Sequence, residues 1–121
     1  MKIAITGSRI FTDFTRLCQV LDNLAPSEII VGGAKGADTL AEQYADKNNI
    51  PKTIFLPKFK TDKNIIYHPR WFHIRNRSLV DYADMVVAFW DGNAGGTKNT
   101  IDYANRVNKR TLVIRFQYPM H

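Results

Sequence analysis

Short apolar runs alternate along the chain with segments whose apolar residues recur every three or four positions. Residues 2–6 form an apolar run that ends at Gly7. The next apolar side chains, Phe14, Leu17, Leu21 and Leu24, have helical spacing. The same succession continues, and we predict strands at 2–6, 28–31, 53–56, 85–90 and 111–115, and helices at about 14–24, 38–47, 69–82 and 97–107.

This alternation is typical of a parallel sheet whose two faces are covered by helices. Right-handed crossovers between parallel strands leave few topologies. We therefore predict an α/β fold, a doubly wound, Rossmann-like three-layer sandwich with a five-stranded, mostly parallel sheet. The 121 residues fit one domain spanning 1–121, in which residues 58–67 form a long loop.

Three turns connect predicted strands to the helices that follow them. They read TGSR, GGAKGAD and DGNAGGT, after the first, second and fourth strands. A parallel sheet brings such turns to one edge, where the unpartnered amides of helix N termini bind phosphate. Arg9 and Lys35 add cations that suit a phosphate, although glycines in turns also have a purely conformational explanation. No turn matches a P-loop or GxGxxG, so neither ATP hydrolysis nor dinucleotide redox chemistry is favoured.

Positive charge is concentrated in one segment. The chain carries a formal net charge of +6, and the segment 58–77 contains six Lys or Arg residues against the single acid Asp62. Such a local field suits an anionic partner, either a phosphorylated small molecule or a nucleic acid, and it also occurs for solubility alone. Tyr67, Trp71 and Phe72 lie among these cations and suit base stacking, with a core position favoured for Trp71.

The stretches ITGSR, IIVGGAKGADTLAEQYA and IRNRSLVDYADMVVAFWDGNAGGTKNTIDYA together resemble the SLOG superfamily, whose nucleotide-binding members include the LOG enzymes and the DNA-processing SMF/DprA proteins. Within it, the chain is similar to the small YspA/YpsA-like branch. The resemblance implies a nucleotide-binding domain over 1–121 with a ligand crevice. The implied ligand-binding residues are Gly7, Ser8, Arg9, Gly32, Gly33, Ala34, Lys35, Gly36, Asp38, Arg75, Asn76, Gly95, Gly96 and Thr97.

The chain departs from the LOG motif PGGxGTxxE, which supplies a catalytic acid for cleaving a base from ribose 5′-monophosphate. The stretch GNAGGTKNT keeps Gly96 and Thr97 but has Thr100 where that acid would stand. Arg75 matches an upstream arginine of those enzymes, and Asp91 or Asp38 is a substitute for the missing acid. Arg75 and Asp91 are therefore the candidate catalytic residues. Three functions stay open: a nucleotide-sensing binding module, an N-glycosidic hydrolase and a single-stranded DNA binder.

Asp38 has two interpretations. Asp38 and Thr39 suit the N-cap of the second helix, and Thr39 with Glu42 has capping-box spacing. An acid at the start of a helix beside a crevice also binds ribose hydroxyl groups.

The remaining expectations concern location and partners. The sequence has neither an apolar stretch of about 18 residues nor a signal peptide in its start MKIAITGSR, and we predict a cytoplasmic protein without a membrane partner. We expect no cofactor and no metal, because His68, His73 and His121 have no cysteine or carboxylate at zinc spacing. We also expect a homo-oligomer, formed through the apolar faces of the helices at 69–82 and 97–107.

Overall fold

Strands and helices alternate along the chain in the computed structural model, which describes residues 1–117. The strands are β1 (Lys2–Gly7), β2 (Glu28–Val31), β3 (Lys52–Ile54), β4 (Met85–Trp90) and β5 (Arg110–Arg115). The helices are α1 (Phe14–Leu24), α2 (Ala37–Lys47), α3 (Lys58–Thr61), α4 (Arg70–Tyr82) and α5 (Gly95–Arg106). Residues 118–121, which include His121, lie outside the described part of the chain.

The five strands form one sheet in the order β3-β2-β1-β4-β5, and every neighbouring pair is parallel. The chain builds outward from β1 to β3, crosses back, and continues on the other side of β1 with β4 and β5. The strand order therefore reverses between β1 and β4, where Gly7 lies opposite Phe89. This confirms the predicted doubly wound, Rossmann-like fold, and it places the switch point of the sheet at the end of β1.

The side chains of the strands alternate between two buried layers. Ile3 and Ile5 of β1 face the layer of α1 and α2, where they join Leu17 and Leu21. Ala4 faces the opposite layer, which α4 and α5 cover. A strand buried on both faces needs this uninterrupted apolar sequence. Leu79 and Val80 of α4 and Ala104 of α5 pack in this layer, whereas Ile74 of α4 is 40% exposed. The expected oligomer contact through these two helices stays a prediction.

The segment predicted as a long loop contains a short helix. α3 occupies residues 58–61 because Phe59 packs its ring 5.0 Å from that of Tyr67 and 5.5 Å from that of Phe72, measured between ring centroids. These contacts join residues far apart in sequence, and periodicity does not report them. Other boundaries move by a few residues: α5 begins at Gly95 rather than Thr97, and β3 ends at Ile54.

Both tryptophans fix turns rather than fill the core. Trp71 was expected in the core under the third predicted helix, but within residues 1–117 it is only partly buried and lies outside both core clusters. Its Nε1 donates to the carbonyl oxygen of Ile66 at 3.1 Å. Trp90 ends β4, and its Nε1 donates to the carbonyl oxygen of Ala94 at 3.1 Å. None of the helices within residues 1–117 has the length and apolar character required to cross a membrane.

Candidate functional site

The turns after β1, β2 and β4 meet at one edge of the sheet and surround an open cavity of about 870 Å³, called the crevice below. Every predicted ligand-binding residue except Gly36 lines it, namely Gly7, Ser8, Arg9, Gly32, Gly33, Ala34, Lys35, Asp38, Arg75, Asn76, Gly95, Gly96 and Thr97. Asp91, a candidate catalytic residue, lines it as well. The structure thus brings together residues that the sequence places on three separate turns and on α4.

Ser8 links the turns at the switch point. Only 2% of the residue is exposed, and its backbone N–H donates to the carbonyl oxygen of Phe89 at 3.0 Å. Its Oγ accepts a hydrogen bond from the backbone N–H of Asp91 at 3.2 Å. Ser8 therefore holds the β1 turn against the β4 turn, and this role uses its backbone donor and its hydroxyl acceptor within the protein.

Asp38 shapes the turn between β2 and α2. One carboxylate oxygen accepts hydrogen bonds from the backbone N–H groups of Gly32 at 3.0 Å and Ala34 at 3.2 Å. Asp38 is the second residue of α2, so the predicted N-cap role is wrong, and Gly36 is the N-cap residue without a side-chain bond. The capping box is absent too, because Thr39 donates its hydroxyl to the carbonyl oxygen of Ala34. The Asp38 side chain accepts from amides of the preceding turn, because these amides are unpaired and lie within its reach.

Burial raises the pKa of Asp38 to about 6. The side chain is 6% exposed, and desolvation outweighs the opposing effects of the Ala34 and Gly32 amides and of the Arg75 charge. A carboxyl group in the crevice thus changes its charge close to neutral pH.

Gly36 lies outside the crevice lining and makes the contact between two turns. Its φ is +80°, in the region that side chains rarely adopt. A Cβ added there would approach the backbone carbonyl oxygens of Ser8 and Arg9, the latter at 2.7 Å. The close approach of the β1 and β2 turns therefore requires glycine at this position.

Arg75 extends from α4 and binds the backbone of neighbouring elements. Nη1 donates to the carbonyl oxygen of Gly32 and, at 3.2 Å, to that of Phe55, while Nε donates to Asn76 Oδ1 at 2.9 Å. Burial lowers the pKa of Arg75, and the neighbouring Asp38 opposes this. An arginine remains protonated in this setting. The guanidinium lines the crevice, but it also clamps β2 and the end of β3 to α4, a role that the sequence did not reveal.

Backbone amides of the turn after β4 donate hydrogen bonds to the Asp91 carboxylate of the same turn. Asp91 Oδ1 accepts hydrogen bonds from the backbone N–H groups of Asn93 and Ala94, both at 2.9 Å. The Ala94 bond, followed by the Asn93 bond, lowers the pKa of Asp91. Thr100 is 1% exposed and donates its hydroxyl to the carbonyl oxygen of Gly96 at 3.2 Å. Asp91 is therefore a weak proton acceptor held in a turn, and Thr100 has no carboxylate to offer.

The N terminus of α5 opens onto the crevice. Its first residues are Gly95, Gly96 and Thr97, whose N–H groups precede the first intrahelical hydrogen bond. Ala94 is the N-cap and makes no side-chain cap bond. A Cβ added at Gly95 or Gly96 would meet no atom within 4 Å. Thr97 is 4% exposed and lines the crevice, and its hydroxyl makes no hydrogen bond within residues 1–117. Amides at the start of a helix, together with the helix dipole, are suited to accept an anion.

The sequence did not single out several lining residues on α3 and α4. Lys60, Pro69 and His73 line the crevice beside Phe72, which the sequence offered only as a base-stacking candidate. The position of Phe72 follows from helix periodicity, since residues 72, 75, 76 and 79 share one face of α4. Lys60 arrives through α3, whose packing depends on tertiary contacts, and only its place in the basic segment indicated it.

A doubly wound parallel sheet with a crevice at its switch point defines the class of Rossmann-like α/β domains. Residues 1–61 match the model of the YAcAr family, described as the YspA, cpYpsA-related SLOG family. The chain belongs to this family, and the predicted membership of the SLOG superfamily is confirmed. No curated protein matches the chain at a significant level.

Solved structures share the fold. DNA processing protein A from Helicobacter pylori, described for its single-stranded DNA binding mode, superposes with a TM-score of 0.74 at 19% identity, over 98% of this chain and 67% of that one. DprA from Streptococcus pneumoniae superposes with a TM-score of 0.80 at 19% identity, over 98% of this chain and 51% of that one. TM1055 superposes with a TM-score of 0.64 at 20% identity, over 91% of this chain and 71% of that one. The chain spans about half the length of the Streptococcus pneumoniae chain, and these likenesses establish the fold alone.

Replacing Gly36 tests the contact between the β1 and β2 turns. We expect Gly36→Ala to lower the free energy of unfolding by about 2 kcal/mol or more, because the side chain adds an unfavourable φ and a collision with a backbone carbonyl. Urea unfolding gives the difference. Gly95→Ala is the matched control: its Cβ enters open space and alanine suits a helix, so it should be neutral or slightly stabilising. Equal effects of the two substitutions would contradict this role of Gly36.

The raised pKa of Asp38 predicts a pH-dependent stability. As pH rises from about 4 to 6, the carboxyl ionises first in the unfolded chain, where its pKa is 3.8, so ionisation favours unfolding. A pKa raised to about 6 corresponds to roughly 3 kcal/mol. We expect the free energy of unfolding of Asp38→Asn, relative to the unsubstituted protein, to increase by up to that amount between pH 4 and pH 7.

Urea unfolding at several pH values measures this difference. Asp91→Asn is the control, because hydrogen bonds hold the pKa of Asp91 below 3.8 and its ionisation is complete in both states above pH 5. Its effect should stay constant between pH 5 and pH 7. If the difference in free energy of unfolding between Asp38→Asn and the unsubstituted protein were constant from pH 4 to pH 7, burial would not disfavour the ionised form of Asp38.

Proposed function

We propose that the crevice binds a nucleotide or a nucleotide-derived phosphorylated small molecule, and that the protein acts as a sensor or binding module. The observation that carries this proposal is the open N terminus of α5. Three amides and the Thr97 hydroxyl have no protein partner there among the described residues, and a Cβ at Gly95 or Gly96 would meet no atom beyond the adjacent helix backbone within 4 Å. A phosphate group supplies the acceptors that these donors lack.

The charges around the crevice support an anionic ligand. Four cations line it, Arg9, Lys35, Lys60 and Arg75, against the two acids Asp38 and Asp91. Amide hydrogen bonds already compensate Asp91, and Asp38 is partly protonated near pH 6. The net charge of the residues that line the crevice is therefore positive. Asp38 also supplies an acceptor for a ribose hydroxyl, which agrees with one of the two interpretations of this residue.

The arrangement favours binding over cleavage of an N-glycosidic bond. A hydrolase of the LOG kind needs a carboxyl group that exchanges a proton with the reacting groups. Thr100 replaces that acid and is turned to the backbone of Gly96, while Asp91 is stabilised as the anion by its own turn. Arg75 already donates hydrogen bonds from Nη1 and Nε to protein acceptors. Hydrolysis stays a hypothesis that rests on Asp38 alone.

Ligand binding is tested by thermal unfolding and calorimetry with nucleoside 5′-monophosphates and ADP-ribose. We expect a member of this panel to raise the Tm, since a ligand that prefers the folded state stabilises it. Thr97→Val should weaken binding about tenfold or more, because a hydrogen bond to a charged group is lost. Thr100→Val, one turn along α5 and outside the crevice lining, should leave the affinity unchanged.

Two outcomes would count against this function. A Tm unaffected by the whole panel would remove the small-ligand proposal. Equal losses in both threonine variants would place the phosphate away from the start of α5. The same mixtures, incubated and analysed for free base, should retain intact nucleotide, and release of base would revive the hydrolase hypothesis.

Single-stranded DNA binding is a second candidate, favoured by the exposed cations of the segment 58–77. Lys58, Lys63, Arg70 and Arg77 are exposed on α3, α4 and the loop between them. The fold is shared with DNA processing protein A from Helicobacter pylori, which was described for its single-stranded DNA binding mode. Exposed cations of this kind release counterions from a nucleic acid backbone.

Salt dependence distinguishes a DNA site from a small-ligand site. If four phosphates are contacted, the affinity for a fluorescent oligothymidylate should fall about 50-fold between 50 and 200 mM salt. A mononucleotide bound at α5 should lose far less. Lys63→Glu together with Arg70→Glu should weaken the oligonucleotide and spare the mononucleotide. Failure of the oligonucleotide to bind at 50 mM salt would eliminate this candidate.

A further inference from the structure

Phe72 is the only Phe, Tyr or Trp that lines the crevice within residues 1–117. The sequence offered Tyr67, Trp71 and Phe72 as possible base-stacking residues, and the structure separates them. Trp71 lines a smaller groove of about 150 Å³ on the other side of Arg75. Tyr67 is 58% exposed and lines neither cavity. A base in the crevice therefore has one large aromatic ring to contact.

Neighbouring side chains hold the Phe72 ring in place. The rings of Phe59 and Tyr67 lie at 5.5 and 6.3 Å from it, between centroids, with interplanar angles of 75° and 71°. The Arg75 guanidinium carbon lies 5.7 Å from the ring centroid and is itself fixed by the carbonyl oxygens of Gly32 and Phe55. A ring that is already ordered loses little conformational freedom when a ligand packs against it.

The lining around Phe72 differs from the lining near α5. Pro69, the N-cap residue of α4, and Phe72 in the first turn of α4 give an apolar wall, with Lys60 of α3 and His73 beside it. The start of α5 offers glycines, backbone donors and a hydroxyl instead. A nucleotide has the same division between an apolar base and a phosphate, with the ribose between them. The crevice thus has a separate surface for each end of such a ligand.

We propose that Phe72 is the specificity-determining residue that receives the nucleobase, while the phosphate lies at the start of α5. This inference rests on the proposed function and adds the requirement that the ligand carry a base. Contact of one base with an aromatic side chain strengthens binding by about 5- to 150-fold, by alanine substitution in other proteins. Ribose 5-phosphate, which lacks the base, should consequently bind this protein far more weakly than adenosine 5′-monophosphate.

The test compares these two compounds by calorimetry on the full chain. We expect Phe72→Leu, which keeps an apolar side chain, to weaken adenosine 5′-monophosphate about 5-fold or more and to leave ribose 5-phosphate within about twofold. Trp71→Leu is the matched control on the preceding residue and should change neither affinity. Phe72→Tyr keeps the ring and should retain the affinity for the nucleotide. Circular dichroism verifies that each variant is folded.

Each other result overturns the inference. Equal affinities of the unsubstituted protein for the two compounds would show that the base contributes nothing, even if no Phe72 variant folds. Equal losses of both compounds in Phe72→Leu would show a general change of the crevice. The proposed function survives either result, because the nucleotide still binds and Thr97→Val still weakens it. Failure of the unsubstituted protein to bind both compounds and every nucleotide tested overturns both.

Discussion

Opposite charges hold Gly32 from its two sides, and the geometry of the crevice depends on this arrangement. The N–H of Gly32 donates to the Asp38 carboxylate, and its carbonyl oxygen accepts from the Arg75 guanidinium. A Cβ at position 32 would approach Arg75 Nη1 to 2.6 Å, so the arginine occupies the space that any larger residue needs. Burial of Asp38 and Arg75 disfavours both charged forms, and their mutual attraction offsets part of that penalty. The turn, the acid and the arginine therefore form one unit that joins the β2–α2 connection to the distant helix α4.

The internal acids leave different numbers of free backbone donors in the turns around the crevice. The carboxylate of Asp38 already uses the amides of Gly32 and Ala34, and the carboxylate of Asp91 uses those of Asn93 and Ala94. Internal acids thus occupy donors that a phosphate would otherwise use in two of the three turns. The first turn of α5 keeps its donors free within the described residues because Ala94, its N-cap, has no polar side chain. We therefore propose the phosphate site at the start of α5, where the amide donors have no acceptor among the described residues.

The sequence predicted the fold and most of the crevice lining because both depend on short-range patterns. Apolar periodicity gave the strands and helices, and a parallel sheet then brings the ends of its strands to one edge whatever the side chains are. Hydrogen-bond partners depend instead on three-dimensional proximity. Arg75 reaches Gly32, 43 positions away, and the sequence could not show that this arginine would bind carbonyl oxygens. α3 was missed for the same reason, because four residues carry little periodicity and Phe59 owes its position to Phe72.

The positive charge of residues 58–77 divides among separate roles, so its sum does not identify a partner. Arg75 is half-buried and serves the backbone, Lys60 faces the crevice, and Lys63 and Arg77 lie on the outer surface. A charge fixed beside a shaped cavity selects a ligand by geometry, whereas mobile exposed charges attract any polyanion and are screened by salt. In the proposed complex, a nucleotide at the start of α5 would accept hydrogen bonds from amides fixed by the helix, and salt weakens such direct contacts less than it screens exposed charges. Within this one segment, cations that line the crevice and cations on the outer surface thus favour the two proposed partners, a small ligand and a polymer, by different physical means.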